Sequence, residues 1–234
     1  ATGSPASWAR DARRRALRGA ADAWGGPGTP VLVAHTAGDQ AETVLLRAIS
    51  SPGTRALAGI AERDDARGVL RPLLAAGLTR EETGAWCRDR GLTWTDDPTN
   101  PTTPRGRVRA LLTELERIDG RAPAALVRTA ALAREDEEAL AAAAAQLLAS
   151  AGVPPDGMGE AALRAAPVAL GRRVLRTLAE RATGAGCPRA GARLEEVLAL
   201  RPEGSAAAAL DLGDGARAVL RGGVVRCVPT PPRA

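Results

Sequence analysis

Three clusters in this 234-residue sequence have residue types and spacing that suit chemistry. The first is His35-Thr36-Ala37-Gly38-Asp39-Gln40-Ala41-Glu42-Thr43. It follows a short apolar run and opens an amphipathic segment, so an imidazole and two carboxylates stand where a strand ends and a helix begins. Backbone N–H groups at such a helix start favour phosphates and other anions. A carboxylate there is also a ligand type for the Mg²⁺ of a bound nucleotide. The plainer reading is that Asp39 caps the helix, with Glu42 three residues on completing a capping box, and that His35 fills a turn. The second cluster is Arg71, set among Val69, Leu70, Leu73 and Leu74. An unpaired buried charge is expensive, so Arg71 requires a structural salt bridge or a bound anion. The third is Asp96-Asp97-Pro98-Thr99-Asn100, followed by Arg105-Gly106-Arg107-Val108-Arg109. A carboxylate loop ahead of an Arg-rich helix start suits an amino acid and a phosphate backbone together, because guanidinium grips phosphate through paired N–H groups. A solvated turn with surface arginines is the alternative.

The elements that position these clusters follow from periodicity. Residues 6–24 read as a helix capped by Ser7, with an apolar stripe at Ala16, Leu17, Ala20 and Ala21. Gly25-Gly26-Pro27-Gly28 stops it. Pro30 to Ala34 reads as a strand buried on both faces of a parallel sheet. Val44, Leu45, Ala48 and Ile49 give the next helix its buried face. Residues 52–60 read as a loop, and Val69 to Leu74 as a second apolar segment. Thr79-Arg80-Glu81-Glu82 is a capping-box start for a helix reaching about Arg90 and ended by Gly91. Residues 94–106 read as loop and 105–118 as helix. After Asp119-Gly120 the chain turns Ala/Leu-rich, with helices expected over 123–149, 160–182 and 189–200. A Gly/Pro break is expected at 152–159, a hairpin over 209–228, and a disordered tail from Pro229. Helix–strand–turn–helix order is a slice of a doubly wound α/β fold, whose ligands bind at the carboxyl ends of the strands. The first cluster lies there.

Composition excludes other chemistries. All 32 basic side chains other than His35 are arginine. Without lysine there is no Walker-type phosphate lysine and no Schiff base. Phe and Tyr are absent, so base stacking would fall to the four Trp or to Arg planes. Cys87, Cys187 and Cys227 lack C-x-x-C spacing, and one His cannot complete a standard zinc site with them. They read as free thiols in a reducing cytoplasm. No uncharged apolar run approaches the roughly 18 residues of a membrane span. A net charge of +5 is compatible with nucleic acid.

Taken in order, the clusters resemble tRNA(Ile)-lysidine synthase, of the PP-loop ATP pyrophosphatase group. The stretches that carry the resemblance are Ala9 to Arg13, His35-Thr36 with Asp39 to Leu46, Leu57-Ala58-Gly59, Arg71 to Leu74, Asp97 to Asn100, and Arg107-Val108-Arg109. Beyond residue 120 it is looser and ends in Leu212-Gly213-Asp214-Gly215 and a strand pair. The resemblance implies a partial Rossmann-like, PP-loop α/β parallel sheet followed by a mainly helical domain with a small C-terminal hairpin. Residues 1–118 would be the C-terminal part of the ATP-binding domain, and 119–234 a tRNA- and substrate-binding domain. It implies ligation of L-lysine to the wobble cytidine of a CAU-anticodon tRNA(Ile) with ATP and Mg²⁺, and it allows a homodimer. It assigns His35, Asp39 and Arg71 to catalysis, and His35, Asp39 and Glu42 to Mg²⁺–ATP with Asp39 as metal ligand. Asp97 and Asn100 go to the lysine or cytidine pocket, and Arg105, Arg107 and Arg109 to tRNA phosphates.

The sequence also departs from the family pattern. The Ser-Gly-Gly-x-Asp-Ser loop that cradles pyrophosphate in the family does not occur in these residues and is expected upstream of Ala1, so the isolated chain is expected not to adenylate. Gly38 stands where the family has the first of two aspartates, and Gly106 where it has Asn. Two rivals remain: a degenerate, non-catalytic tRNA-binding protein, and, more weakly, a PP-loop tRNA thiolase, against which the unpaired cysteines argue.

Overall fold

The computed structural model describes residues 5–51, 53–94, 103–153, 156–202 and 206–231. The chain divides into two compact units, Ala1–Glu135 and Asp136–Ala234. In the first unit, α1 (Pro5–Gly25) leads to β1 (Val31–Leu32) and then α2 (Ala37–Ser50). The single turn α3 (Thr54–Leu57) precedes β2 (Arg63–Asp64), and a 3₁₀ turn at Asp65–Arg67 precedes β3 (Val69–Leu70). Then come α4 (Pro72–Ala75), α5 (Arg80–Asp89) and α6 (Pro104–Ile118). The long helix α7 (Ala122–Ala151) begins in the first unit and ends in the second.

The first unit holds the expected parallel pairing. β1 and β3 run parallel with Val31 opposite Val69, and β2 adds on antiparallel in the order β1-β3-β2. The strand at Pro30–Ala34 is shorter than its apolar run suggested and is not buried on both faces. β1 is an edge of this sheet and leaves Leu32 66% exposed. Ser7 lies inside α1 rather than at its cap, and the 52–60 loop contains α3. The start of α2 also differs from expectation. Its cap is Thr36 and Asp39 is the third helical residue, so the reciprocal box runs Thr36–Asp39 and leaves Glu42 for another partner. The start of α5 follows expectation. Thr79 accepts from the Glu82 amide at 3.2 Å, the Glu82 carboxylate takes the Thr79 N–H at 2.7 Å, and Gly91 follows the helix at φ +64°.

The second unit carries most of the apolar core. β4 (Gly152–Val153), β5 (Gly157–Gly159), β6 (Ala208–Gly213), β7 (Ala216–Arg221) and β8 (Val224–Pro229) form an antiparallel sheet in the order β4-β5-β8-β7-β6. The expected hairpin over 209–228 is therefore three strands, β6 to β8, of a larger sheet in which β6 is an edge. Its tight turns use Asp214-Gly215 (φ 55° and 79°) and Gly222-Gly223 (φ 56° and 72°), the left-handed pairs that a twisted two-residue hairpin requires. The expected 160–182 helix is two: α8 (Glu160–Ala165) and α9 (Val168–Thr183). Proline disfavours helical backbone at the residue before it, and Ala166 is extended at ψ 147° ahead of Pro167. A 3₁₀ turn at Ala190–Arg193 and α10 (Leu194–Leu198) complete the layer. Pro229 ends β8 and Thr230 donates to the Gly215 carbonyl, so the chain is ordered past the start of the expected tail. The last three residues lie outside the described set.

α9 lays Val174, Leu175 and Leu178 on Leu212, Leu220 and Val225 of the sheet. Cys187 and Cys227 belong to this core as free thiols, and burial pushes the Cys227 thiol up to about 12. With no Phe or Tyr to fill it, the core is assembled from aliphatic side chains, and its packing is correspondingly exacting. Among the described residues no helix is long and apolar enough to cross a membrane. Leu175 is fully buried, so Leu175→Ala is expected to destabilise the second unit by about 2–5 kcal/mol, read as a lowered denaturant midpoint with unchanged slope.

Candidate functional site

Parallel pairing decides where the site forms. β1 and β3 end side by side, so the residues just past them meet: His35 after β1 and Arg71 after β3. Arg71 Nε donates to His35 Nδ1 at 3.1 Å, and its Nη1 donates to the Ala61 carbonyl at 2.6 Å. The partner demanded by the arginine is thus a ring nitrogen and a carbonyl, not a carboxylate. Burial lowers the Arg71 pKa, with Asp64 opposing and Arg14, Arg67 and Arg134 adding to the fall. An imidazole nitrogen that accepts from arginine carries no proton, so His35 is neutral with hydrogen on Nε2. Burial is the main force lowering the His35 pKa. Asp39 opposes it, while Arg71, Arg105 and Arg13 reinforce it.

One turn into α2 lies the ionic centre. Asp39 Oδ2 accepts from the Thr36 N–H at 2.8 Å and its hydroxyl at 3.1 Å, and Oδ1 accepts from Arg105 Nη2 at 2.8 Å. Glu42 is buried, and each of its oxygens takes an arginine: Oε2 from Arg105 Nε at 2.8 Å and Oε1 from Arg109 Nε at 2.5 Å. α6 makes this geometry possible. Thr103 caps it through the Gly106 amide at 3.0 Å, and Pro104 occupies the first turn. Arg105 and Arg109 then share a face at i, i+4, and Val108 and Leu112 bury alongside. Arg107, at a spacing that faces away from both, is exposed. The structure therefore brings His35, Asp39, Glu42, Arg71, Arg105 and Arg109 into one region and leaves Arg107 outside it. Asp97 and Asn100 lie outside the described residues.

Other side chains shape the floor and carried no role in the sequence reading. Gln40 is buried and clamps the Ile60 backbone, accepting from its N–H at 2.7 Å and donating to its carbonyl at 3.2 Å. Arg47 donates to the Ala56 and Gly59 carbonyls, and Arg134 to those of Ala58 and Ile60. Gly59 sits at φ +63°, where a Cβ would come within 2.6 Å of Gln40 Oε1. The stretch Leu57-Ala58-Gly59 is thus fixed through its carbonyls, a signal that side-chain type does not display. Gln40 lies inside the first cluster, and its buried side of α2 could have been read from the helical period.

A divalent cation does not fit Asp39 as these side chains stand. Mg²⁺ asks for near-octahedral oxygen ligands, whereas Asp39 and Glu42 are shared among Thr36, Arg105 and Arg109. Among the described residues no three His, Cys, Asp or Glu side chains are grouped to hold a metal ion. With both carboxylates matched by arginines, and Arg71 present in addition, the region favours an anionic ligand.

Residues 4–115 match the family model of the PP-loop domain. The chain as a whole is similar to curated tRNA(Ile)-lysidine synthases. That of Thermobifida fusca is 39% identical over 202 residues, covering 85% of this chain and 60% of the relative. That of Rhodococcus erythropolis is 44% identical over 179 residues, 74% of this chain and 52% of the relative. That of Thermus thermophilus is 39% identical over 209 residues, 87% of this chain and 38% of the relative. The six short motifs thus sit within a resemblance that extends well past residue 120. The chain spans about half the length of the curated relatives it matches.

His35 is the only histidine, which makes its titration separable. Its folded pKa lies below the ordinary 6.5, so as pH falls below 6.5 the unfolded chain takes up the proton first. Stability is full above pH 6.5 and declines as pH drops toward the folded value. A melting-temperature series from pH 7.5 to 5.0 is expected to fall more steeply for the native chain than for His35→Gln.

Proposed function

We propose that the chain acts in the reaction named by its relatives, joining L-lysine to the wobble cytidine of a CAU-anticodon tRNA(Ile) at the cost of ATP. In this reading cytidine O2 attacks the α-phosphorus of ATP and pyrophosphate leaves. The lysine ε-amine then forms the N–C2 bond, the C2–O bond breaks, and AMP departs with the oxygen while the amine loses its proton to solvent. The observation that carries the reading is the cationic region at the ends of two parallel strands, within a chain 39–44% identical to lysidine synthases.

The residues divide the work by their chemistry. Neutral His35 offers Nε2–H as a donor to a ligand oxygen and does not serve as a base. Asp39 and Glu42 hold Arg105 and Arg109 in place, and those guanidiniums face phosphate. Asp97 and Asn100 are proposed for the lysine or cytidine pocket, and exposed Arg107 for the tRNA backbone. ATP is the cofactor, and Mg²⁺ belongs to the phosphates of the nucleotide rather than to Asp39.

A second reading, a tRNA-binding protein without catalysis, is favoured by Gly38 in place of an aspartate. Incubation of the full-length protein with ATP, L-lysine and a CAU transcript, followed by nucleoside mass spectrometry and AMP measurement, separates the two. Lysidine formation supports the ligase, and Asp39→Ala is then expected to reduce it at least tenfold; undiminished formation removes Asp39 from the site. Binding of the transcript without AMP release supports the second reading, and failure to bind tRNA overturns both.

A further inference from the structure

The segment 56–61 runs from the end of α3 toward β2, and its carbonyls are its points of attachment. Arg47 of α2 takes those of Ala56 and Gly59, Arg134 of α7 those of Ala58 and Ile60, and Arg71 that of Ala61. Gln40 of α2 both donates and accepts. Its Oε1 accepts the Ile60 N–H at 2.7 Å, and its Nε2 donates to the Ile60 carbonyl at 3.2 Å. These two groups belong to successive peptide planes, each rigid by resonance. One carboxamide therefore orients both planes. The next carbonyl along is that of Ala61, with one residue's dihedrals between it and the clamp.

The clamp is itself closely held. Gln40 is 4% exposed, and a buried carboxamide must find partners. A Cβ on Gly59 would lie 2.6 Å from Gln40 Oε1, 2.8 Å from Cδ and 2.9 Å from Nε2. The amide thus rests against a backbone position kept bare for it. Beyond the clamp, the segment is tied to Arg71 twice. The Ala61 carbonyl accepts from Arg71 Nη1 at 2.6 Å, and the Glu62 carbonyl accepts the Arg71 N–H at 2.8 Å. Arg71 Nε then donates to His35 Nδ1 at 3.1 Å. Hydrogen bonds and short backbone links therefore run without a gap from Gln40 to the imidazole. An Arg71 released from Ala61 has another partner to turn to, because the Asp64 carboxylate lies within its electrostatic reach.

We propose that Gln40 is a positioning residue: by fixing the peptide planes on either side of Ile60 it aims the Ala61 carbonyl, which holds Arg71 against His35 Nδ1 and so presents Nε2–H to the ligand. The assignment rests on the reading of His35 as a donor in the ligase reaction. Gln40 acts through three other groups and not on the reacting atoms. Its effect falls on the aim of a donor, and a donor's aim counts most where charge develops in the transition state. Its loss therefore lowers kcat more than it raises KM for ATP.

A single histidine makes this path readable. Imidazole ¹⁵N spectra of the native chain, at a pH well above the ordinary histidine range, are expected to show Nδ1 unprotonated and one Nε2–H tautomer. Gln40→Met keeps an unbranched side chain and removes both bonds to Ile60. It is expected to move both ring nitrogens toward the averaged values of free histidine. Gly59→Ala reaches the same clamp from its other side and is expected to do likewise, which keeps the test alive if Gln40→Met fails to fold. Val44→Ala opens a cavity in the same helix and is expected to lower the melting temperature without moving either signal. In the full-length protein, Gln40→Met is expected to cut kcat for lysidine formation about fivefold or more, with KM for ATP changed less than about twofold. Native-like ring signals in either folded variant overturn the path, as does an equal displacement in Val44→Ala, which marks general loosening. Displaced signals with unchanged kcat overturn the role in the reaction. If the native full-length protein forms no lysidine, the ligase reading falls and this role with it, a failure seen before any substitution is made.

Discussion

A carboxylate with 7% of its side chain exposed, gripped by two arginines, is the constraint around which the first unit is organised. Glu42 alone would make α2 costly to bury, since a desolvated charge without partners is strongly unfavourable. Arg105 and Arg109 satisfy one oxygen each, and only a helix can place two guanidiniums at that spacing on one side. The docking of α6 on α2 is thus specified by charge as well as by Val108 and Leu112. Because the arginines are about 40% exposed, solvent screens them and the pair adds more to geometry than to stability. Carboxylates already matched by arginine have few oxygen lone pairs left for a metal ion as these side chains stand.

Parallel pairing provides the other half of the site. His35 and Arg71 are 36 positions apart, and nothing in their local sequence links them. Their meeting follows from Val31 lying opposite Val69: both strands leave the sheet at the same carboxyl edge, and the long Arg71 side chain, one residue past β3, reaches His35, three residues past β1. An arginine that donates to imidazole then settles the tautomer and the charge state of the histidine together.

Much of this was legible in residue types and spacing, and the failures have physical causes. Helix starts were readable where a hydroxyl and a carboxylate stand three apart, as at Thr79–Glu82. At α2 two such frames overlap, Thr36–Asp39 and Asp39–Glu42, and only tertiary contacts reveal that Glu42 is drawn away by α6. The break at Pro167 was missed because the apolar period continues across it while the backbone does not. β4 and β5 were missed because glycine is an unusual strand residue; here it makes room for the Val224 and Arg226 side chains that cross β5. Arg71 was rightly singled out as needing a partner, but a carbonyl and a ring nitrogen leave no trace in sequence. Gln40, Arg47 and Arg134 escaped notice for the same reason, since what they bind is backbone.

The two units are held by different forces. In the second, methionine, leucine, valine and alanine close an apolar core under an antiparallel sheet, and such burial is little affected by ordinary salt. In the first, buried Thr36, Gln40 and Glu42 lie among a smaller set of apolar residues, and polar networks of this kind fix geometry tightly only when every member is satisfied. A site made of guanidiniums held by carboxylates is therefore precise and sensitive to any change in its charge balance.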